Sequence, residues 1–279
     1  MTEWFLYLPQ TRIGIDDLVT RAQAAEECGF DGVAFLDHLD TPMAPTEPLW
    51  EAMTMATWVA ARTQRIKIGH VVLCDAFRHP AVMAKQATTL AEATGGRFEL
   101  GLGSGSMPDE LLKYGIPSGS PRQRVDALGK TLELLGEYWS SDGPLAQAPA
   151  PSQPIPIVLG GVGPRMLALV RRYADWWNLP ATHIPQLPEL LPSIGSARAS
   201  VQQMVAFARR DQDLEAVTAT AQRRFGRLGP GLVCGDAAAL TEHFRLLESQ
   251  GAQRFYVWFA DFAPPESIAE FAETVIRAG

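Results

Sequence analysis

Basic residues, cysteines and long apolar runs are all scarce in this sequence. The 279 residues contain 24 lysines and arginines against 31 aspartates and glutamates, for a formal net charge of −7. Nucleic-acid-binding proteins usually carry a basic patch, so this balance argues against a nucleic-acid partner. No run reaches the about 18 apolar residues of a membrane span, and the start lacks the basic segment of a secretion signal. We therefore expect a soluble, cytoplasmic protein that does not bind membranes.

The cysteines exclude two further classes of protein. Cys28, Cys74 and Cys234 are odd in number and far apart. They lack the paired spacing that is typical of a zinc site or a disulfide framework. We expect reduced thiols and no bound metal.

What the chain does have is a regular alternation of strand and helix patterns. Eight short apolar segments fit strands, at Trp4–Leu8, Gly32–Leu36, Ile66–Leu73, Phe98–Leu102, Ile155–Leu159, Trp176–Leu179, Val217–Thr220 and Phe255–Phe259. Helical patterns occupy Ile15–Cys28, Leu49–Arg62, Ala81–Ala93, Arg122–Trp139, Arg165–Tyr173, Leu187–Arg209, Ala237–Gln250 and Glu266–Ala278. Such alternation implies a parallel sheet with right-handed crossovers, and eight repeats favour a closed (β/α)8 TIM barrel. We expect a single domain over residues 1–279.

The segment Gly95–Gly105 is rich in glycine at the end of the fourth predicted strand. Gly101, Gly103 and Gly105 lie two residues apart there. Because strand interiors disfavour glycine, this spacing indicates a flat or anionic group against the bare main chain, with a glycine-rich turn as the alternative.

Active sites of such barrels lie at the carboxyl ends of the strands. Asp37 and His38 end the second predicted strand. His38 is the first candidate for a general acid or base, because the ordinary pKa of histidine is near neutrality; its alternative role is to cap the strand end. Asp37 would orient His38, accept a hydrogen bond from a cofactor ring, or form a turn.

A second cluster of glycines follows the fifth predicted strand. Gly160, Gly161, Val162 and Gly163 come before a helix that begins at Pro164, and Arg165 follows. Backbone N–H groups at a helix amino terminus favour a phosphate, and Arg165 would add a charged donor. The alternative is a tight turn that binds nothing.

Taken together, these motifs resemble a known family. Asp37-His38, Phe77–Ala81, Gly95–Gly103 and Gly160-Gly161 are similar to the bacterial luciferase-like monooxygenase superfamily over nearly the whole chain. The resemblance implies a (β/α)8 barrel that uses FMN or the deazaflavin coenzyme F420. The Asp-His pair after the second strand resembles the F420 branch.

The resemblance also implies roles for individual residues. His38 would lie near the reactive carbon of the cofactor ring, and Asp37 beside the polar edge of the ring. Val71 and Val72 match the place where relatives have a non-proline cis peptide against the back of the ring. Cys74 and Ser106 would border the cofactor, whose phosphate would be held by Gly160 to Gly163.

One position departs from the family pattern. Ser106 stands where some deazaflavin dehydrogenases carry a glutamate that acts as an acid. This departure argues against a sugar-phosphate dehydrogenase.

The expected function is therefore hydride transfer between F420 and a small organic substrate, with His38 supplying or removing a proton. The alternative is an FMN-dependent monooxygenase that receives reduced flavin from a partner reductase. A barrel without catalytic activity is a third hypothesis, against which His38 and the two glycine clusters argue. The resemblance further implies a homodimer, and the apolar helix pattern Leu49–Trp58 suits such a contact.

Overall fold

Strands and helices alternate along the chain, and the strands form one parallel barrel. The computed structural model describes residues 2–42 and 44–278. The strands are β1 Glu3–Tyr7, β2 Gly32–Phe35, β3 Lys67–His70, β4 Leu73–Cys74, β5 Leu100–Gly103, β6 Ile157–Gly160, β7 Trp176–Leu179, β8 Arg198–Phe207, β9 Leu232–Gly235 and β10 Arg254–Phe259.

The α-helices surround the strands. They are α1 Ile15–Cys28, α2 Ala52–Ala60, α3 Pro80–Ala93, α4 Pro108–Lys113, α5 Pro121–Tyr138, α6 Pro164–Tyr173, α7 Leu187–Leu190, α8 Leu214–Phe225, α9 Ala237–Ser249 and α10 Pro265–Phe271. Local sequence explains several of their ends. Ser120 and Gln123 form a reciprocal capping box at the start of α5, and Gly29 ends α1 in the left-handed conformation, with φ at 91°. None of the helices in the described ranges is long and apolar enough to cross a lipid bilayer.

The strand order closes the sheet on itself. Neighbours follow the order β3-β2-β1-β10-β8-β7-β6-β5-β4, in parallel pairs. β3 and β4 are two parts of one barrel strand, and both pair with the β5 region, through Ile68 with Phe98 and through Leu73 with Leu102. The predicted (β/α)8 TIM barrel is therefore confirmed.

The seventh barrel strand is not where the sequence predicts it. Val217–Thr220 lies inside helix α8, and the barrel strand is β8, which lies within the predicted helix Leu187–Arg209. β8 combines alanine, glutamine and methionine, which favour helices, whereas α8 carries β-branched residues typical of strands. Burial in the barrel decides the outcome, since nine of the ten positions of β8 are buried or half-buried.

An additional strand extends the barrel wall at its carboxyl end. β7 pairs with the first half of β8, with Trp176 opposite Arg198. β9 pairs with the second half of β8, with Leu232 opposite Met204. β9 thus pairs with the part of β8 that extends beyond β7.

A cluster of charged residues fills the amino-terminal end of the barrel. Arg254 is fully buried and bonds Glu99 with both terminal nitrogens, Nη2 at 2.9 Å from Oε1. Its Nε also donates to Glu3 at 3.0 Å. The guanidinium lies over the rings of Phe5 and Trp176, at 4.1 and 3.8 Å from their centroids. Both carboxylates are therefore compensated inside the barrel.

Candidate functional site

The carboxyl ends of the strands surround a cavity of about 350 Å³. Its lining residues come from the carboxyl ends of β1, β2, β4, β5, β6 and β7, from the middle of β8, from the segment that leads into α4, and from α4 and α6. They are Tyr7, Leu36, Asp37, His38, Val71, Val72, Leu73, Cys74, Gly103, Ser104, Gly105, Ser106, Met107, Glu110, Leu111, Gly160, Gly161, Met166, Asn178, Pro180 and Gln202. No lysine or arginine of residues 2–42 and 44–278 belongs to this lining. The position agrees with the active-site end of TIM barrels.

His38 is held in this cavity by a buried carboxylate. Its Nδ1 lies 2.8 Å from Oε2 of Glu110, whose side chain is 5% exposed. The other oxygen of Glu110, Oε1, accepts the N–H groups of Leu39 and Asp40 at 2.7 and 2.9 Å. His38 Nε2 has no hydrogen-bond partner within the described part of the chain. His38 therefore presents one free ring nitrogen at the cavity.

Two more contacts attach α4 to the segment that carries His38. Lys113 Nζ donates to Asp40 Oδ2 at 2.6 Å, and the Tyr114 hydroxyl donates to Asp40 Oδ1 at 2.7 Å. Hydrogen bonds from Lys113 and Tyr114 lower the pKa of Asp40. The chain after β5 and the chain after β2 thus hold each other in place.

Asp37 serves a different purpose from His38, its neighbour in the chain. Arg78 donates to both oxygens of Asp37, with Nη2 2.9 Å from Oδ1, and the Cys74 N–H donates to Oδ2 at 2.7 Å. Arg78 also bonds Glu51, the N-cap residue of α2. The carboxylate bonded to His38 is therefore Glu110. Arg78 and Cys74 occupy the oxygens of Asp37, so of the three roles expected for Asp37, the orientation of His38 is not the one that these contacts support.

Glycines and a cis peptide bond shape the inner end of the cavity. The bond between Val71 and Val72 is cis, as the family resemblance predicts. A Cβ at Gly103 would lie only 2.5 Å from Cγ2 of Val72, and one at Gly160 would lie 3.5 Å from Cγ1. Gly161 has φ at +118°, which side chains rarely tolerate. We call Gly103, Gly160 and Gly161 the glycine floor; it is a surface of main chain that side chains at Gly103 and Gly161 would disrupt.

Two lining groups are unsuited to titrate near neutral pH. Burial raises the pKa of the Cys74 thiol to about 11. Burial also raises the pKa of the Tyr7 hydroxyl, against an opposing hydrogen bond with Gln202. Cys74 is therefore a thiol and not a thiolate nucleophile at neutral pH.

The structure brings most of the sequence-predicted site residues together. Asp37, His38, Val71, Val72, Cys74, Ser106, Gly160 and Gly161 all line the cavity. Val162, Gly163 and Arg165 lie outside its lining. The exposed Arg165 side chain instead bonds Asp126 of α5, with Nη1 2.7 Å from Oδ1. Gly163 is the N-cap residue of α6, where no side chain caps the helix.

Glu110 is the functional candidate that the sequence does not reveal. It lies in the first turn of α4, and it meets His38 from 72 residues away along the chain. An acidic residue in a first helical turn is ordinary, because it favours the helix dipole. Only the docking of α4 on the segment after β2 distinguishes it.

Comparison with known proteins gives the chain a family context. The model of the luciferase-like monooxygenase family matches residues 4–270. An F420-dependent glucose-6-phosphate dehydrogenase of Nakamurella multipartita is 31% identical over 202 residues, which cover 66% of this chain and 58% of that protein. An F420-dependent hydroxymycolic acid dehydrogenase of Mycobacterium tuberculosis is 31% identical over 209 residues, with 70% and 57% covered. The matched region thus spans less than two thirds of the length of these relatives.

Solved structures confirm the fold. An F420-dependent secondary alcohol dehydrogenase in complex with an F420-acetone adduct superimposes with a TM-score of 0.86 and 18% identity, covering 100% of this chain and 99% of that one.

Proposed function

The chain belongs to the luciferase-like monooxygenase family, and from this premise we propose that it is an F420-dependent oxidoreductase. The reaction is hydride transfer between the coenzyme and a small organic substrate. The observation that carries the proposal is the pairing of His38 with the buried Glu110, beside the glycine floor. The F420-dependent dehydrogenases among the similar proteins support the choice of coenzyme.

The shape of the inner cavity suits a flat ring. The glycine floor and the Val71-Val72 peptide provide bare main chain, and Leu36 and Met166 provide apolar side walls. A Cβ at Gly103 would collide with Val72, so the close approach of main chain depends on glycine. These residues would hold the deazaflavin ring.

The amino terminus of α6 suits the phosphate of the coenzyme. Gly161 lines the cavity, and α6 begins three residues after it, at Pro164. The N-cap residue Gly163 makes no side-chain hydrogen bond. The first N–H groups of a helix lack partners within the helix and attract anions. The segment from Gly160 to Gly163 would therefore bind the phosphate through main chain, without Arg165.

The chain's own residues then perform the proton chemistry. F420, when bound, supplies the hydride acceptor or donor. The Nε2 atom of neutral His38 can accept a proton from a substrate hydroxyl. Protonated His38 can return a proton to a carbonyl oxygen. Glu110 compensates the charge of the imidazolium, and apolar neighbours such as Leu36 and Leu111 exclude water.

The lining also limits the substrate. It lacks lysine and arginine within the described residues, and Ser106 offers a hydroxyl in place of a carboxylate. A sugar phosphate would bring a second phosphate group besides that of the coenzyme, and this group needs a cation or further N–H donors. The proposed substrate is accordingly a small, uncharged alcohol or carbonyl compound.

Titration of the purified apoprotein with F420 and, separately, with FMN tests the proposal. Fluorescence reports binding, and anaerobic spectra of the reduced complexes follow. Preferential binding of F420, with its oxidation state changed by an alcohol or ketone, is the expected result. Preferential binding of reduced FMN, together with oxygen consumption, would instead indicate a two-component monooxygenase. Binding of neither would indicate a barrel without catalytic activity.

The homodimer belongs to the same proposal. Between α2 and α3 lies an apolar groove of about 890 Å³, in which Trp58 and Val82 are 43% and 54% exposed. Large exposed apolar patches mark interaction sites. Light scattering should give the mass of a dimer for the wild type and of a monomer for Trp58→Glu. A monomeric wild type would contradict this part.

A further inference from the structure

Glu110 determines which ring nitrogen of His38 carries the proton. An ionised carboxylate only accepts hydrogen bonds, so the ring nitrogen next to Glu110 Oε2, which is Nδ1, must be the donor. We infer that neutral His38 is the Nδ1–H tautomer, with its Nε2 lone pair facing the cavity. Glu110 is thus a positioning residue for His38. This assignment concerns the protein without cofactor, and its catalytic consequence rests on the proposed function.

The second carboxylate oxygen of Glu110 fixes the orientation of an amide placed at this position. Its Oε1 accepts two backbone N–H groups, from Leu39 and Asp40. In Glu110→Gln the amide oxygen must stay at that position, because an amide NH2 cannot accept the two donors. The NH2 group must then take the place of Oε2 and donate to His38 Nδ1. The ring proton has to move to Nε2, so the tautomer inverts.

Other groups around His38 do not offer the same control. The further titratable side chains of the cavity lining are Tyr7, Asp37 and Cys74. Asp37 is paired with Arg78, and burial keeps Tyr7 and Cys74 protonated at neutral pH. The hydrogen bond at Nδ1 therefore comes from Glu110.

Inversion of the tautomer has a direct chemical result. With the proton on Nε2, neutral His38 presents a donor to the cavity and cannot accept a proton from a substrate hydroxyl. Presentation of the wrong tautomer by an otherwise intact site costs about 10²- to 10⁴-fold in turnover. Glu110→Gln should therefore lower kcat for alcohol oxidation by about this factor while the Kd for F420 is unchanged.

Nitrogen-15 NMR of histidine-labelled, cofactor-free protein tests the inference without any activity. The chain has five histidines, and His38→Asn identifies the signals of His38 by their loss. At a pH where the spectra show His38 to be neutral, the wild type should show a protonated Nδ1 and an unprotonated Nε2. Glu110→Gln should show the reverse. Asp109→Asn also replaces a carboxylate by an amide, but at an exposed position of α4, and it should show the wild-type tautomer of His38.

Two results would overturn the inference: an Nε2–H tautomer in the wild type, or an unchanged tautomer in Glu110→Gln. The first needs no variant, so it decides the matter even if Glu110→Gln fails to fold. F420 titration of the same samples keeps the proposed function separate. A tautomer as expected without F420 binding removes only the proposed function, and F420 binding with the other tautomer removes only the inference.

Discussion

Arg78 binds both carboxylate oxygens of Asp37, with Nη1 2.5 Å from Oδ2 and Nη2 2.9 Å from Oδ1. The same guanidinium bonds Glu51 at the start of α2. Against the effect of burial, hydrogen bonds from Thr54 and Arg78 lower the pKa of Glu51 to about 2. Arg78 therefore links Asp37, in the segment after β2, to Glu51 at the start of α2, next to the cavity.

Arg78→Met should destabilise the protein by about 3–5 kcal/mol, since it leaves the buried Asp37 charge without its cation. The stability of Arg78→Lys should lie between those of Arg78→Met and the wild type, because an ammonium cannot bond both carboxylate oxygens as a guanidinium does. Urea unfolding measures the three stabilities. Arg227→Met, at an exposed position, is the matched control. Equal stability of Arg78→Met and the control would contradict the anchoring role.

His38→Ala should lower kcat by about 10²- to 10⁴-fold, because it removes the proton acceptor and donor of the cavity. The Kd for F420 should change little, since the glycine floor and the α6 terminus remain. Steady-state kinetics and F420 titration separate the two quantities. His183→Ala, outside the lining, should retain wild-type turnover. Wild-type turnover in His38→Ala would remove His38 from the catalytic role.

His70 should make the protein less stable in mild acid. It is fully buried on β3, and burial lowers its pKa from 6.5 to about 4. Between these values the unfolded chain binds a proton that the folded protein excludes, so stability falls as pH falls from 6.5 to 4, by about 3 kcal/mol. His70→Asn should lose that part of the pH dependence.

Urea unfolding at several pH values between 7.5 and 4 measures this effect. Ile68→Val, a buried change on the same strand that adds and removes no titratable group, should keep the wild-type slope. The same slope in His70→Asn and the wild type would show that His70 is not responsible.

Arg254→Met should cost about 3–5 kcal/mol of stability, because Glu99 would remain buried without its main partner. Adding Glu99→Gln should recover part of this loss, since it removes the uncompensated charge. A double-mutant cycle by urea unfolding gives the coupling between the two residues. Strictly additive effects would mean that the two side chains do not stabilise each other.

Gly103→Ala should push Val72 away and destabilise the protein by about 1–3 kcal/mol, as other overpacked sites do. Val72→Ala removes the colliding methyl group, so the double variant should be more stable than Gly103→Ala alone. F420 affinity should follow the same order. Gly136→Ala in α5, where a Cβ meets nothing within 4 Å, is the control and should not destabilise.

Most of the barrel could be predicted from the sequence because seven of its strands are short apolar runs between helical patterns. β8 could not, since Ser200, Gln202 and Gln203 interrupt its apolar residues. Gln203 is tolerated inside the barrel because its Nε2 donates to the carbonyl of Gly231 at 2.9 Å. Tertiary hydrogen bonds of this kind leave no mark on local periodicity.

The same distinction applies to the site. The glycines and the Asp37-His38 pair are local motifs at strand ends, so their place could be predicted. The partners of His38, Asp37 and Arg165 come from α4, from Arg78 and from α5, and these pairings depend on how separate elements pack. Residue type and spacing identify the candidates, whereas only packing assigns their roles.

The attachment of α4 to the segment after β2 has a consequence for engineering. The loop that leads into α4 contributes Ser104, Gly105, Ser106 and Met107 to the cavity wall, while its helix holds His38 through Glu110 and Asp40 through Lys113. A loop graft that changes the cavity wall therefore exchanges the support of the proton-transfer group as well. Transplanted segments must carry residues 38–40 together with residues 104–114, as one two-part cassette.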